Sequence, residues 1–365
     1  MKLLIVSKRI DLLLRHRLEA LKAAGVDVTC VTIYDYRLHD AQGSRSVEPE
    51  SPFEFLERKG HLRSINRLYK RRKMLRAIAP EYDVVDLCRL GSQAALLRSV
   101  AERAAPRYVV SADENDLTPS SLPPVNMLRK KLYRKAHAIL FENALLQDEF
   151  KERFSQIRSC AVVHHPIPLI DTIDTLDEEA LARYAAAFEL DREKEIVYCD
   201  MSGALERQSE LLRHLASLPK EQRSRTTFIL PMLYNDFETR RSLKKQLEGM
   251  DLDFLLLDGL LTPEQRAALF LLANKTIVLS VTPTNDTLPA ALYARSELYL
   301  YKLYGIDPIY ERMGIFIDDF KNFSLTPQDP QARALLQEIL TKNSKKVADI
   351  FAPAQATQRY LKELA

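Results

Sequence analysis

The strongest constraint on this chain is an alternation: short apolar runs of strand length are separated by segments whose apolar residues recur at helical spacing. Residues 3–7 form the first run. Leu12, Leu13, Leu18 and Leu21 follow until Gly25 stops the pattern, and 26–33 then alternates as a strand. Strand, helix, glycine, strand opens a right-handed parallel βαβ unit. The polar stretch 34–59, with two prolines, predicts a long loop over the strand ends. The pattern then resumes with helices over 61–78, 93–103 and 128–136, strands over 83–87, 107–111 and 138–141, a further helix, and a strand at 160–163.

The run His164-His165-Pro166-Ile167-Pro168 interrupts this series, and its two prolines stiffen the backbone as a hinge between domains does. A helical connector over 171–193 leads into a second series. Its strands fall at 196–199, 226–230, 254–257 and 276–280, and its helices at 206–218, 237–248, 263–272 and 288–301. A length of 365 residues suits two domains, each able to bury its own core. The expected fold is therefore α/β, with two Rossmann-like, doubly wound parallel-sheet domains facing a cleft, over 1–168 and 169–350. Residues 351–365 read as a C-terminal helix able to cross back.

Several chemistries are excluded by spacing. The 9 glycines never lie closer than nine positions apart, so neither a dinucleotide fingerprint nor a Walker loop can be written. The four cysteines, Cys30, Cys88, Cys160 and Cys199, are at least 39 residues apart and form no paired zinc or redox motif. They read as buried thiols in a reducing compartment. No histidine pair has metalloprotease spacing, and no serine sits in a glycine-flanked nucleophile elbow. The first apolar run is too short for a signal peptide or a membrane span, which points to a cytoplasmic protein.

Charge is uneven. Residues 1–165 carry an excess of nine positive charges and 166–365 an excess of six negative ones. Much of the excess lies in two helical segments, Arg63, Arg67, Lys70, Arg71, Arg72, Lys73 and Arg76, then Arg129, Lys130, Lys131, Arg134 and Lys135. Such faces are solvated, meet an anionic membrane surface, or bind nucleic acid. No recognition motif or aromatic platform accompanies the charge, so nucleic acid is not an expected partner.

After the strand at 107–111 comes Ala112-Asp113-Glu114-Asn115-Asp116-Leu117, acids clustered beyond the carboxyl end of a strand, where open α/β sheets bind ligands. They read as a general base or hydroxyl-binding carboxylate, or as caps of the next helix.

Two βα-repeat domains joined by a proline-stiffened linker resemble the GT-B superfamily of nucleotide-sugar glycosyltransferases, and five segments carry the likeness along nearly the full chain. Val109-Val110-Ser111 with Asp116-Leu117 resembles the acceptor-side strand and aspartate loop of family-4-type enzymes. Met201-Ser202-Gly203 with the helix after Arg207 resembles the turn that opens their donor domain. The segment from Phe228 through Met232 to Tyr234 is similar to one in bacterial Fuc4NAc transferases. Gly259-Leu260-Leu261 resembles the loop beside the nucleotide base, and Asp286-Thr287-Leu288 the start of the phosphate-binding helix.

The resemblance implies a metal-independent glycosyltransferase with no cofactor beyond its nucleotide-sugar substrate, acting on a lipid-linked or polysaccharide acceptor in bacterial surface glycan synthesis. It implies peripheral attachment at the inner face of the membrane. Asp116 is the expected catalytic base, with Glu114 and Asp113 behind it. Ser202, Gly203, Arg207, Met232, Tyr234, Leu260, Asp286, Thr287 and Leu288 are the expected donor-side residues, and Glu297, placed on the 288–301 helix, a ribose contact. The pair of glutamates eight positions apart in retaining family-4 enzymes is missing, since Tyr293 and Ala294 stand eight after Asn285 and Asp286. The stereochemistry stays open, as do two alternatives: a non-catalytic GT-B scaffold and a sugar-nucleotide epimerase.

Overall fold

The structure is a computed structural model of the 365-residue chain. It describes all residues except 9, 34–36, 41–42, 47–62, 96, 98–100, 102–106, 121–122, 155–156, 158, 233–234, 281–285, 304–305 and 319–328. The chain divides into two compact units, one of Met1–Pro166 with Ala354–Ala365, the other of Ile167–Pro353.

In the first unit, β1 (Lys2–Ser7), β2 (Asp27–Thr32), β3 (Arg37–Asp40), β4 (Gly43–Ser46), β5 (Val84–Cys88), β6 (Arg107–Ala112), β7 (Ile139–Phe141) and β8 (Cys160–Val162) form one sheet. Their order is β4-β3-β2-β1-β5-β6-β7-β8. Six strands are parallel, and β3 and β4 add an antiparallel hairpin at one edge. The predicted loop over 34–59 thus contains a hairpin, and 47–59 lie outside the described residues. The helix expected over 93–103 also falls largely outside them.

Alternate strand residues feed two cores. Leu4, Val6, Val85 and Val110 pack on one face with Met74 and Leu75 of the helix Arg63–Ile78, Leu132 and Tyr133 of Pro123–Lys135, and Phe150 of Ala144–Arg153. Leu3, Ile5, Val28 and Val109 face the other way. They pack with Leu14 and Leu21 of Leu12–Ala23 and with Tyr360 and Leu364 of Pro353–Leu364. Covering both faces explains why the strands read as continuous apolar runs.

The second unit has β9 (Glu195–Asp200), β10 (Thr226–Pro231), β11 (Phe254–Leu257), β12 (Lys275–Val278), β13 (Glu297–Tyr301) and β14 (Ile315–Ile317), all parallel, in the order β11-β10-β9-β12-β13-β14. Helices Leu205–Ser217 and Phe237–Leu247 cover one face, and Pro168–Asp174, Pro263–Leu272, Thr287–Tyr293 and Pro330–Phe351 the other. The helix expected over 288–301 is a correction. It ends at Tyr293, Arg295 takes a left-handed φ of 63°, and Ser296 N–H closes back on the Ala291 carbonyl. The apolar run after it pairs with β12 and β14 as a strand, because a short buried run has no periodicity to separate helix from strand.

The basic segments also need correction. Lys70 and Arg129 are buried, and Arg129 donates to the Thr118 carbonyl at 2.7 Å, the Asp116 carbonyl, and Tyr133 Oη at 3.2 Å. Among the described residues, no helix is long and apolar enough to cross a membrane.

The C-terminal helix is fixed to the first unit by a polar contact. Asp86, with no exposed surface, accepts hydrogen bonds from Ser111 N–H at 3.1 Å, Ser111 Oγ at 2.8 Å and Tyr360 Oη at 2.6 Å. Burial pushes its pKa up, against the pull of these donors and of Arg17. Arg17 lies over the Tyr360 ring, 4.8 Å from its centre. Tyr360→Phe should therefore destabilise the protein by about 1–3 kcal/mol, the cost of a buried acceptor losing a donor. Urea unfolding measures this, and an unchanged midpoint would show the bond to be dispensable.

Candidate functional site

Parallel strands deliver all their carboxyl ends to one edge, and in doubly wound sheets ligands bind where the strand order reverses. Each sheet here has one such point, between β1 and β5 in the first and between β9 and β12 in the second.

At the first, Arg89 follows β5 with a left-handed φ of 53°, a strained conformation for a residue with a side chain. Its guanidinium donates to Asp11 Oδ2 at 2.5 Å, to Glu142 Oε1, and lies 2.7 Å from His165 Nε2. Asp11 follows β1, where it also caps the helix Leu12–Ala23 by accepting from Leu14 N–H. Glu142 follows β7, and its carboxylate lies 3.2 Å from His165 Nε2. Arg17, Arg89, Ser111 and Glu142 line a small cavity here with Phe141 and Val163. Burial holds the His165 imidazole neutral down to about 3, helped by the charge of Arg17. Its Nδ1 has no hydrogen-bond partner among the described residues. Burial would raise the Glu142 carboxyl, but the hydrogen bond with His165 and the charges of Arg89 and Arg17 outweigh it and hold it down to about 2.

The sequence reading missed this group. Arg89, Asp11, Glu142 and His165 stand far apart in the chain with no local motif, and only the sheet gathers them. The available signal was position, since each of the four directly follows, or lies within a few residues of, the end of a strand.

The acidic loop after β6 is divided. Asp113 and Asp116 form a reciprocal cap on the short helix Glu114–Leu117, with Asp113 N–H donating to Asp116 Oδ2 at 3.1 Å. Asp116 has no exposed surface and also accepts from Tyr133 Oη at 2.8 Å. Burial, then the neighbouring Asp113 charge, pushes its carboxyl up to about 7. Its basicity suits a proton acceptor, but nothing from solvent reaches it, so in this conformation it holds the turn. Glu114 is exposed and Asp113 half-buried.

At the second switch point, Ser202 and Gly203 follow β9. Gly203 has a φ of 94°, which strains any residue with a side chain, and a Cβ there would be crowded at 3.1 Å from Ser280 Cβ. Ser202 Oγ is buried and has no partner among the described residues. Arg207, on the following helix, donates to the Leu279 carbonyl at 3.1 Å, which places its guanidinium by the end of β12. Gln208 donates to the Gly203 carbonyl at 2.7 Å and exchanges hydrogen bonds with Asn235 at 3.0 Å. These two amides, also missed in the sequence, lock the loops after β9 and β10 together.

Asp286, Thr287 and Leu288 open the helix after β12, and Asp286 is paired with Arg266. Thr287 and Leu288 are buried, as is Met232 after β10. Leu260, after β11, is 96% exposed. Tyr234 lies outside the described residues. Glu297 departs from its expected place. It begins β13, at the amino-terminal edge opposite the other donor-side residues, 3.8 Å from the buried Lys275, whose ammonium is also paired with Glu195. A ribose contact from there does not fit.

The titrations at the first site oppose one another. Unfolded His165 takes up its proton near 6.5 but the folded form does not until about 3, so folding loses stability as pH falls through that window. Glu142 adds a loss between 4.5 and 2. Asp116, raised to about 7 from 3.8, gains stability as pH falls between those values. The difference between variants separates them. Relative to the parent, His165→Gln should lose less stability between pH 6.5 and 4.5, measured by urea unfolding at each pH; parallel curves would place the His165 titration elsewhere.

No family model and no curated protein matches this sequence. Solved structures do match in shape. Sucrose-phosphate synthase from Thermosynechococcus elongatus aligns with a TM-score of 0.63 at 14% identity, over 99% of this chain and 98% of that one. Anabaena HepE in complex with UDP and glucose aligns at 0.62 and 14%, over 100% and 99%. The α,α-trehalose 6-phosphate synthase from Burkholderia multivorans aligns at 0.62 and 12%, over 100% and 96%. At such identities the likeness is one of fold, and the chain has the GT-B fold of two Rossmann-like domains.

Proposed function

We propose that this protein is a glycosyltransferase that takes a sugar from a nucleoside-diphosphate donor held at the carboxyl edge of the second unit. The reading rests chiefly on one observation, the turn after β9, where a buried Ser202 hydroxyl without a partner among the described residues adjoins a left-handed Gly203 and the Arg207 guanidinium. Glycosyl transfer from such a donor must stabilise charge growing on the leaving diphosphate. The Ser202 hydroxyl and the Arg207 cation supply that stabilisation from protein groups alone. The neighbouring structures named for UDP, glucose and sugar-phosphate synthesis support this choice of donor.

On the first unit, the acceptor's proton passes in this reading to Glu114, the exposed carboxylate of the acidic loop, while Arg89, Asp11 and Glu142 bind hydroxyls. Lipid-linked or polysaccharide acceptors of bacterial surface glycans, and attachment at the inner membrane face, fit the basic charge of this unit. The neighbours named for synthesis of sugar phosphates leave a phosphorylated sugar as the competing acceptor. Placement near the family-4 and Fuc4NAc enzymes is part of the same reading and rests on the sequence segments.

The missing glutamate pair favours one alternative, a scaffold that keeps the fold and binds no donor. A thermal-shift panel of UDP, GDP, TDP and CMP separates the two, because a ligand at a hundred times its Kd adds about 2.7 kcal/mol to apparent stability. One nucleoside diphosphate is expected to raise the midpoint. Arg207→Ala should weaken that binding by roughly 1.5–3 kcal/mol, the worth of a charge-assisted hydrogen bond. Unchanged affinity rejects the assignment of Arg207. Glu114→Gln should lower turnover with nucleotide affinity intact, whereas Asp116→Asn should act first on stability.

A further inference from the structure

The small cavity at the first switch point is lined by Arg17, Arg89, Ser111 and Glu142, with Phe141 and Val163 as apolar walls. Its clear space is about 10 Å³, close to the least that admits one water-sized oxygen. Neither a phosphate nor a sugar ring enters a space of that size. Most of the hydrogen-bonding capacity around it is already used. Arg89 is held by Asp11, Glu142 and His165, and Ser111 Oγ donates to Asp86. Two groups are left. Arg17, on the helix Leu12–Ala23, is only 5% exposed, and its guanidinium lies over the Tyr360 ring without a hydrogen-bond partner among the described residues. Glu142 meets Arg89 and His165 through Oε1, and its Oε2 has no hydrogen bond among the described residues.

A buried guanidinium with its donors unspent is costly, and charge decides which acceptor suits it. Three carboxyl groups, Asp11, Asp86 and Glu142, already face the two guanidiniums, so an anion would enter without a net positive charge to hold it. A hydroxyl fits instead. It is neutral, it accepts from Arg17, and it donates to the Glu142 carboxylate. We propose that Arg17 and Glu142 together bind a single unsubstituted hydroxyl of a sugar acceptor, with the carbon that bears it against Phe141 and Val163. This rests on the glycosyltransferase reading above and sharpens it, because the part of the acceptor that enters here is neutral and an ether or ester at this hydroxyl does not fit. Arg17 is thereby a specificity-determining residue.

Saturation-transfer NMR on the full chain reads the binding of glucose, galactose, mannose and N-acetylglucosamine, each with and without UDP. At least one should bind the parent protein. Among its single-deoxy analogues, one should bind about tenfold or more weakly, the loss expected when a hydrogen bond to charged groups is removed. The methyl ether at that same position should fail to bind. Arg17→Met, which keeps the length of the side chain and removes its donors, should bind the sugar with a loss of the same size and no longer distinguish it from the deoxy analogue. Because Arg17 also packs on Tyr360, thermal unfolding checks that the variant is folded, and the analogue series on the parent protein decides the matter if it is not. Equal binding of every deoxy analogue, full binding of every methyl ether, or a folded Arg17→Met protein that discriminates as the parent does overturns the proposal. So does absence of binding by all four sugars. The nucleotide panel on the parent reads the donor assignment separately: nucleotide binding without sugar binding sinks this inference alone, and sugar binding without nucleotide binding leaves the hydroxyl site standing and removes the donor reading.

Discussion

Parallel strand pairing governs what this molecule can do. It needs a crossover after every strand, it buries both faces of each sheet, and it sends every carboxyl end to the same edge. Function is left to the loops at that edge, and in each sheet the reversal of strand order opens a gap between two of them. Arg89 occupies one gap and Ser202 with Gly203 the other. Neither arrangement uses a glycine-rich loop, as the glycine spacing had already required.

The two edges differ in how polar groups are satisfied. In the first unit the charged side chains satisfy one another: Arg89 holds two carboxylates and an imidazole, and Asp116 is enclosed by its own turn and Tyr133. In the second unit Ser202 has no partner among the described residues. Both edges also keep a buried polar atom without a partner among the described residues, His165 Nδ1 in the first and Ser202 Oγ in the second. The proposed diphosphate site therefore rests on Ser202 lying beside a left-handed Gly203 and the Arg207 guanidinium, not on an open hydrogen-bonding atom alone.

Much of this was legible in the sequence. Hydrophobic periodicity located the strands of both sheets, except β13, β14 and the edge hairpin, and the order of five segments pointed to the fold. What failed was burial and partnership. Lys70 and Arg129 look like surface cations in a linear reading, yet both are buried, and Asp116 looks available until Tyr133 closes over it. Glu297 was misplaced because Leu298, Tyr299 and Leu300 extend a helical pattern as easily as they begin a strand. Charge clusters drawn from several strand ends, such as Asp11 with Arg89 and Glu142, leave no local motif, only their positions beside strand ends.

The contact between Tyr360 and Asp86 spans 274 positions of chain. While the protein emerges from the ribosome, the first sheet can pair early, but one acceptor at its centre waits for a donor made much later. That half of the molecule therefore passes through synthesis with an unsealed face, exposing Leu3, Ile5 and Val28 to chaperones or to neighbouring chains.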